Sequence, residues 1–139
     1  AEFFKAHGRY PTFWFDLVCI DVDQGQDVLK DLPINVASCR NFVALAGEHF
    51  PGRLWCVWEL FTRFAFSSLS SERVVIKPLH DKLRGDLLRK LSTFNVLSAV
   101  CFDPNEQARL LRVIGSLGAE RFNQRIRLLA QDVLKNSAP

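Results

Sequence analysis

Hydrophobic positions along this chain fall into two alternating kinds of pattern. Short apolar runs rich in aromatic or β-branched residues have the length and composition of strands. They are TFWFDLV (12–18), NFVALAG (41–47), RVVIKPL (73–79) and VLSAVCF (96–102). Between them, stretches at about 25–40, 53–68 and 82–92 show helical character. The runs at 41–47 and 73–77 are apolar throughout rather than alternating, which predicts strands covered on both faces. Strands separated by helices predict an α/β fold with a parallel sheet and right-handed crossovers.

Two further helices are expected at the C-terminal end. In DPNEQARLLRVIGSL, Asp103 stands as an N-cap, Pro104 at the first helical position and Glu106 three residues after the cap. Leu110, Val113, Ile114 and Leu117 then mark one face. In AERFNQRIRLLAQDVLK the apolar face is Phe122, Ile126, Leu129 and Val133. No repeat, low-complexity segment or linker interrupts the pattern, so residues 1–139 read as one domain. With 48% apolar residues it has enough material for a core. Nothing approaches the ~18 uninterrupted apolar residues of a membrane span. The chain holds no methionine and opens in mid-pattern at AEFFKAHGRYP, so it reads as a fragment of a longer protein.

The net charge of +3 hides an asymmetry: residues 1–76 are net acidic and residues 77–139 net basic. The later arginines fall opposite the apolar helical positions, with no aromatic residues between them. That is a solvated helix face rather than a nucleic-acid surface. The four cysteines, Cys19, Cys39, Cys56 and Cys101, are scattered through apolar segments without metal-ligand spacing. Buried thiols in a reducing compartment, the cytosol, are the expectation.

Familiar phosphate cradles, nucleophile elbows and zinc-protease motifs are missing from the sequence. DVDQGQD (21–27) has the look of a calcium loop, but its glycine is one place early and Leu32 stands where a glutamate is needed. It reads as an acidic surface loop. His49 and His80 each follow a predicted strand, at the end where doubly wound sheets gather ligands. Neither has an acid at a telling spacing.

One residue is out of keeping with its neighbours. In RLWCVWELFTRFAF (53–66), Glu59 is the single acid. A lone carboxylate in such surroundings needs a partner or a task. On a helix it shares a face with Trp55 and with Arg63. One reading is an ion pair with Arg63. The other is an indole and a carboxylate at a pocket wall, where the ring stacks on a flat heterocycle and the carboxylate stabilises developing positive charge.

The stretch ASCRNFVALAGEHFPGRLWCVWEL (37–60) resembles the central signature of Toll/interleukin-1-receptor (TIR) domains. That signature is a small polar residue and a basic one (Ser38 or Cys39, then Arg40), an apolar strand (Phe42–Leu45), an aromatic loop residue (Phe50) and W-C-x-x-E-L, here Trp55 to Leu60. PTFWFD looks like the second strand ending in its aspartate, Asp16, and RVVIKPL like the fourth. The resemblance covers roughly residues 1–80.

It implies a flavodoxin-like parallel sheet flanked by helices, and signalling through association with itself or other TIR-like domains. It further implies cleavage of the nicotinamide–ribose bond of NAD, with NAD as substrate and no bound cofactor. Glu59 is then the catalytic carboxylate, with Trp55 and Asp16 binding substrate. The family's first strand would precede Ala1, so the sheet is expected to lack it here. The loop after strand two, LVCIDVDQGQ, departs from the family's proline-bearing pattern. Trp58 with Phe61, Phe64 and Phe66 makes the W-C-x-x-E-L helix apolar all round, so it is expected to be buried on both sides. The rival reading is a non-catalytic interaction module in which Glu59 is structural.

Overall fold

The computed structural model describes residues 2–15, 19, 28–65 and 74–136, and it sets the two most apolar runs side by side. Strand β1 (Phe42–Ala46) pairs in parallel with β2 (Val74–Pro78), Phe42 opposite Val74 and Ala46 opposite Pro78. Around this pair lie α1 (Glu2–His7), α2 (Val28–Ser38), α3 (Leu54–Ala65), α4 (Arg84–Ser92), α5 (Pro104–Leu117) and α6 (Ala119–Asn136). Short 3-10 turns occupy Phe50–Gly52, Asp81–Leu83 and Val96–Ser98. Among the described residues the result is a mixed α/β fold, mostly helical, with a two-stranded parallel sheet flanked by helices.

Three expectations are corrected. The strands are not covered on both faces. Ala44, Ala46, Val74 and Ile76 are buried, whereas Val43, Leu45 and Val75 are 58%, 63% and 40% exposed. Successive strand side chains point to opposite faces, and an apolar run does not reveal how many layers meet it. Second, residues 12–15 carry no regular structure; 16–18, with Asp16, lie outside the described residues, as does the acidic loop at 21–27. Third, 96–102 is a 3-10 turn followed by one parallel bridge between Val100 and Arg53. Polar side chains divert this run from pairing. Asn95 Oδ1 accepts the Leu97 N–H at 3.0 Å, and the buried Asn123 Oδ1 accepts the Val96 N–H at 2.8 Å. Helix α1 forms where the pattern predicted no element.

The C-terminal pair follows its sequence closely. Asp103 caps α5 by accepting the Asn105 N–H at 2.8 Å, and Pro104 occupies the first turn, where a missing N–H is harmless. Gly118, at φ 93°, lets the chain reverse into α6. Leu110, Ile114, Phe122, Ile126 and Leu129 are buried as expected, whereas Val113 and Leu117, expected on the same face, are exposed, and the Val133 side chain lies outside the described residues. Arg127 Nε donates to the Phe94 carbonyl at 2.9 Å, tying α6 to the turn that follows α4.

Helix α3 runs through the middle, packing against α2, α5 and α6. Its Trp58 and Phe61 meet Phe122 of α6 with ring centroids 6.4 and 4.5 Å apart, and Phe94 closes the cluster. Leu54, Val57, Leu60, Thr62 and Arg63 are buried as well, so the two-sided burial expected of this helix is observed, with Phe66 outside the described residues.

Arg63 is the unexpected member of that set. Only 2% exposed, it donates from Nη1 to the Val36 and Ala37 carbonyls at 3.2 and 3.4 Å and from Nη2 to the Arg40 carbonyl at 2.9 Å. The first two carbonyls stand in the last turn of α2, where helical N–H partners run out, and the third lies two residues past its end. Ser38 Oγ and Cys39 Sγ bond the carbonyls one turn back, Ile34 and Asn35. A positive group at a helix C-terminus also meets the favourable end of its dipole.

Replacing Arg63 by Met should therefore lower stability by about 3 kcal/mol, since one buried and two partly buried carbonyls lose charged donors at once. Arg63→Lys should recover little, because an ammonium cannot reproduce the planar fork. Urea denaturation reads the first effect, and amide exchange at 36–40 should accelerate selectively. Wild-type-like stability in Arg63→Met would remove Arg63 from this role.

Candidate functional site

The start of α3 is held by the segment that follows α4. Leu54 N–H donates to the Val100 carbonyl at 3.0 Å, and Val100 N–H to the Gly52 carbonyl at 2.9 Å. Pro51 stiffens the preceding 3-10 turn, and Arg53 leaves it in an extended conformation before the helix begins. Trp55 is thus set in the first turn of α3, half-buried against the core, and Glu59 lies one turn on, also half-buried. The shared helix face that their spacing predicts is present, and the Glu59 Oε1 atom is shut off from solvent. The third expected residue, Asp16, lies outside the described residues.

Arg63, the proposed ion-pair partner of Glu59, turns its guanidinium to the end of α2. No local spacing foretells that, because the acceptors belong to another helix. Trp58, four residues after Leu54, is core: it is 3% exposed and stacked on Phe61 and Phe122. Of the two tryptophans in the motif, only Trp55 reaches the rim.

Beside Trp55 sits Cys101. Its thiol accepts the Trp55 main-chain N–H, and Gln107 Oε1 accepts the Cys101 N–H at 3.0 Å. Burial pushes the thiol above its usual value of 9.0, the Glu106 and Asp103 carboxylates push the same way, and the Trp55 N–H opposes them only in part. A thiol held protonated is a poor nucleophile, so Cys101 belongs to the packing of this wall.

A separate cleft of ≈ 580 Å³ opens beyond the C-terminal end of β1. Glu48, His49 and Arg53 form one side; Lys90, Asn95 and Val100 contribute to the other. Neither Trp55 nor Glu59 lines it. The position of His49 after a strand was the one sequence signal for this place, whereas Arg53, Lys90 and Asn95 carry no motif. Lys90 Nζ is clamped by the Asp86 carboxylate at 2.7 Å and donates to the Glu48 carbonyl at 3.4 Å. Lys90 and then Arg89, both hydrogen-bonded to Asp86, hold that carboxyl below its usual value of 3.8. His80, after β2, is exposed.

Among the described residues, no group of three or more His, Cys, Asp or Glu side chains is placed to hold a metal ion. No described helix is long and apolar enough to cross a membrane. Comparison with protein-family models, curated proteins and solved structures finds no match.

The raised thiol makes two linked predictions. Iodoacetamide at pH 8 should alkylate Cys101 at least about tenfold more slowly in the folded than in the denatured chain. Folded Cys101 keeps its proton to higher pH than unfolded Cys101, so the folded state binds more protons above pH 9.0 and stability should fall as pH rises through that range. Mass spectrometry of labelled peptides and denaturation across pH 8–11, wild type against Cys101→Ala, check both. Equal labelling of folded and denatured chains would contradict the partial burial of this thiol.

Proposed function

We propose that this chain is a TIR-like signalling domain of the cytosol that works chiefly by self-association. The observation that carries the reading is the outward face of the β1–β2 pair, where Val43, Leu45 and Val75 lie exposed on adjacent strands. Val43 stands opposite Val75 in the register and Leu45 two places along, opposite the exposed Lys77, so the three apolar side chains form one small patch, the kind of surface that marks a protein contact. A second copy is the proposed occupant, since a two-fold contact sets the patch against its own equivalent while the exposed Lys77, opposite Leu45 in the register, stays at the margin of the contact. The parallel strands bracketing the W-C-x-x-E-L helix agree with the resemblance in the sequence. A flavodoxin-like completion of the sheet is part of the proposal.

One observation favours a second reading, NAD glycohydrolase. Trp55 and Glu59 are half-buried one turn apart on α3, and a carboxylate oxygen closed off from solvent on the side that also bears an indole suits a pocket that stabilises a cationic sugar transition state. Glu59 would then be the catalytic carboxylate and Trp55 the wall of the nucleotide site, with Asp16 as a further substrate contact. NAD would be substrate, not cofactor.

The two readings separate experimentally. Under the association reading, sedimentation of the wild type should show a concentration-dependent dimer. Leu45→Glu should shift it to monomer with little change in Tm, because the side chain is exposed in the single copy. A wild type that stays monomeric at its solubility limit would end that reading. Under the enzyme reading, the protein should release nicotinamide from NAD, and Glu59→Gln should abolish the release while leaving stability nearly unchanged. Release that survives Glu59→Gln would exclude Glu59 as the catalytic group.

A further inference from the structure

We propose that the cleft beyond β1 is a binding site for a small molecule that bears a phosphate group on an apolar body. The proposal is independent of the association and NAD readings, since the cleft shares neither the exposed sheet face nor Glu59. Its volume, ≈ 580 Å³, falls within the range of small-molecule sites, and it lies past the C-terminal end of a parallel strand, where α/β folds gather their ligands.

The chemistry follows from which polar groups on the lining are already engaged. Ser98 Oγ donates to the Asn95 carbonyl at 2.7 Å, and Thr93 Oγ1 to the Arg89 carbonyl at 3.1 Å. Lys90 is held by Asp86, which fixes the wall rather than leaving a cation to bind with. Asn95 Oδ1 is taken by the Leu97 N–H, so the side chain offers the cleft its amide Nδ2, a donor. The Arg53 guanidinium and the His49 imidazole are exposed, with no ion pair or hydrogen bond to any described residue. Three donor groups without acceptors therefore border one concave space, and a group offering only acceptor oxygens satisfies them together. The forked guanidinium suits a phosphate in particular. Glu48, on the same rim, is the single opposing charge and limits affinity. The buried edges of Pro51 and Phe94 and the exposed Val100 supply an apolar floor beside these donors, which is where the body of the ligand lies.

Titration with phenyl phosphate, followed by backbone NMR at constant ionic strength, tests this. Saturable shifts are expected at His49, Arg53, Asn95 and Val100, with tighter binding than inorganic phosphate, which lacks the apolar part, and tighter binding than benzoate. Arg53→Ala should weaken binding about tenfold or more, the loss of a charge-assisted bond. Asn95→Asp keeps the oxygen that caps Leu97 while replacing the amide donor with a negative charge, so it should weaken binding comparably without unfolding the chain. Glu48→Gln should tighten binding about threefold by removing the opposing charge. All three positions are exposed, and unchanged Tm values will confirm that the variants fold. The proposal is overturned if Arg53→Ala and Asn95→Asp both bind within twofold of wild type, if benzoate binds as tightly as phenyl phosphate, or if the shifts cluster elsewhere.

Discussion

A guanidinium buried at the end of a helix holds this fold in register. Arg63 projects from the central helix α3 and donates to the carbonyls of Val36 and Ala37 in the last turn of α2 and of Arg40 just beyond it. Burying a charge away from water is tolerable only when its donors are matched, and here they are matched by main-chain oxygens whose positions the helix itself sets. Because α3 also meets α5 and α6, the angle at which Arg63 reaches α2 is coupled to the packing of the whole helical layer.

The same helix presents both halves of the candidate chemistry. Its inner side is committed to the aromatic cluster of Trp58, Phe61, Phe94 and Phe122, which leaves Trp55 and Glu59 at the margin between core and solvent. One carboxylate oxygen of Glu59, Oε1, is closed off from solvent there. Cys101, beside Trp55, is kept neutral by its surroundings and completes a wall rather than a reactive centre.

Polar side chains on α6 shape the region across from that margin. Asn123 and Arg127 take the main-chain groups of Val96 and Phe94, and the segment from 94 to 98 closes into a turn instead of extending into a strand. One result is the cleft between this turn and the residues after β1. Another is a sheet of two strands among the described residues, with one buried face and one open face. The features that bear on function are thus arranged by contacts between elements distant in the chain.

How much could be read beforehand follows from the same distinction. Local interactions were legible: the Asp103–Pro104 start of α5, the burial of Leu110 and Ile114 though not of Val113 and Leu117, the apolar face of α6 at Phe122, Ile126 and Leu129, and the strand length and parallel order of 42–46 and 74–78. The common face of Trp55 and Glu59 was legible too, because helical geometry alone places residues four apart together. Arg63 was not, since its acceptors stand 23 to 27 residues upstream and helical spacing pointed instead to Glu59. The run 96–102 has strand composition, but Asn123, 27 residues away from Val96, takes the N–H that a strand would need. Composition and periodicity determined which segments are helical or extended and which residues seek burial. Tertiary structure decided which face of the sheet is covered, which donors remain uncommitted, and where a cleft opens, because each depends on which distant group first satisfies a buried polar atom.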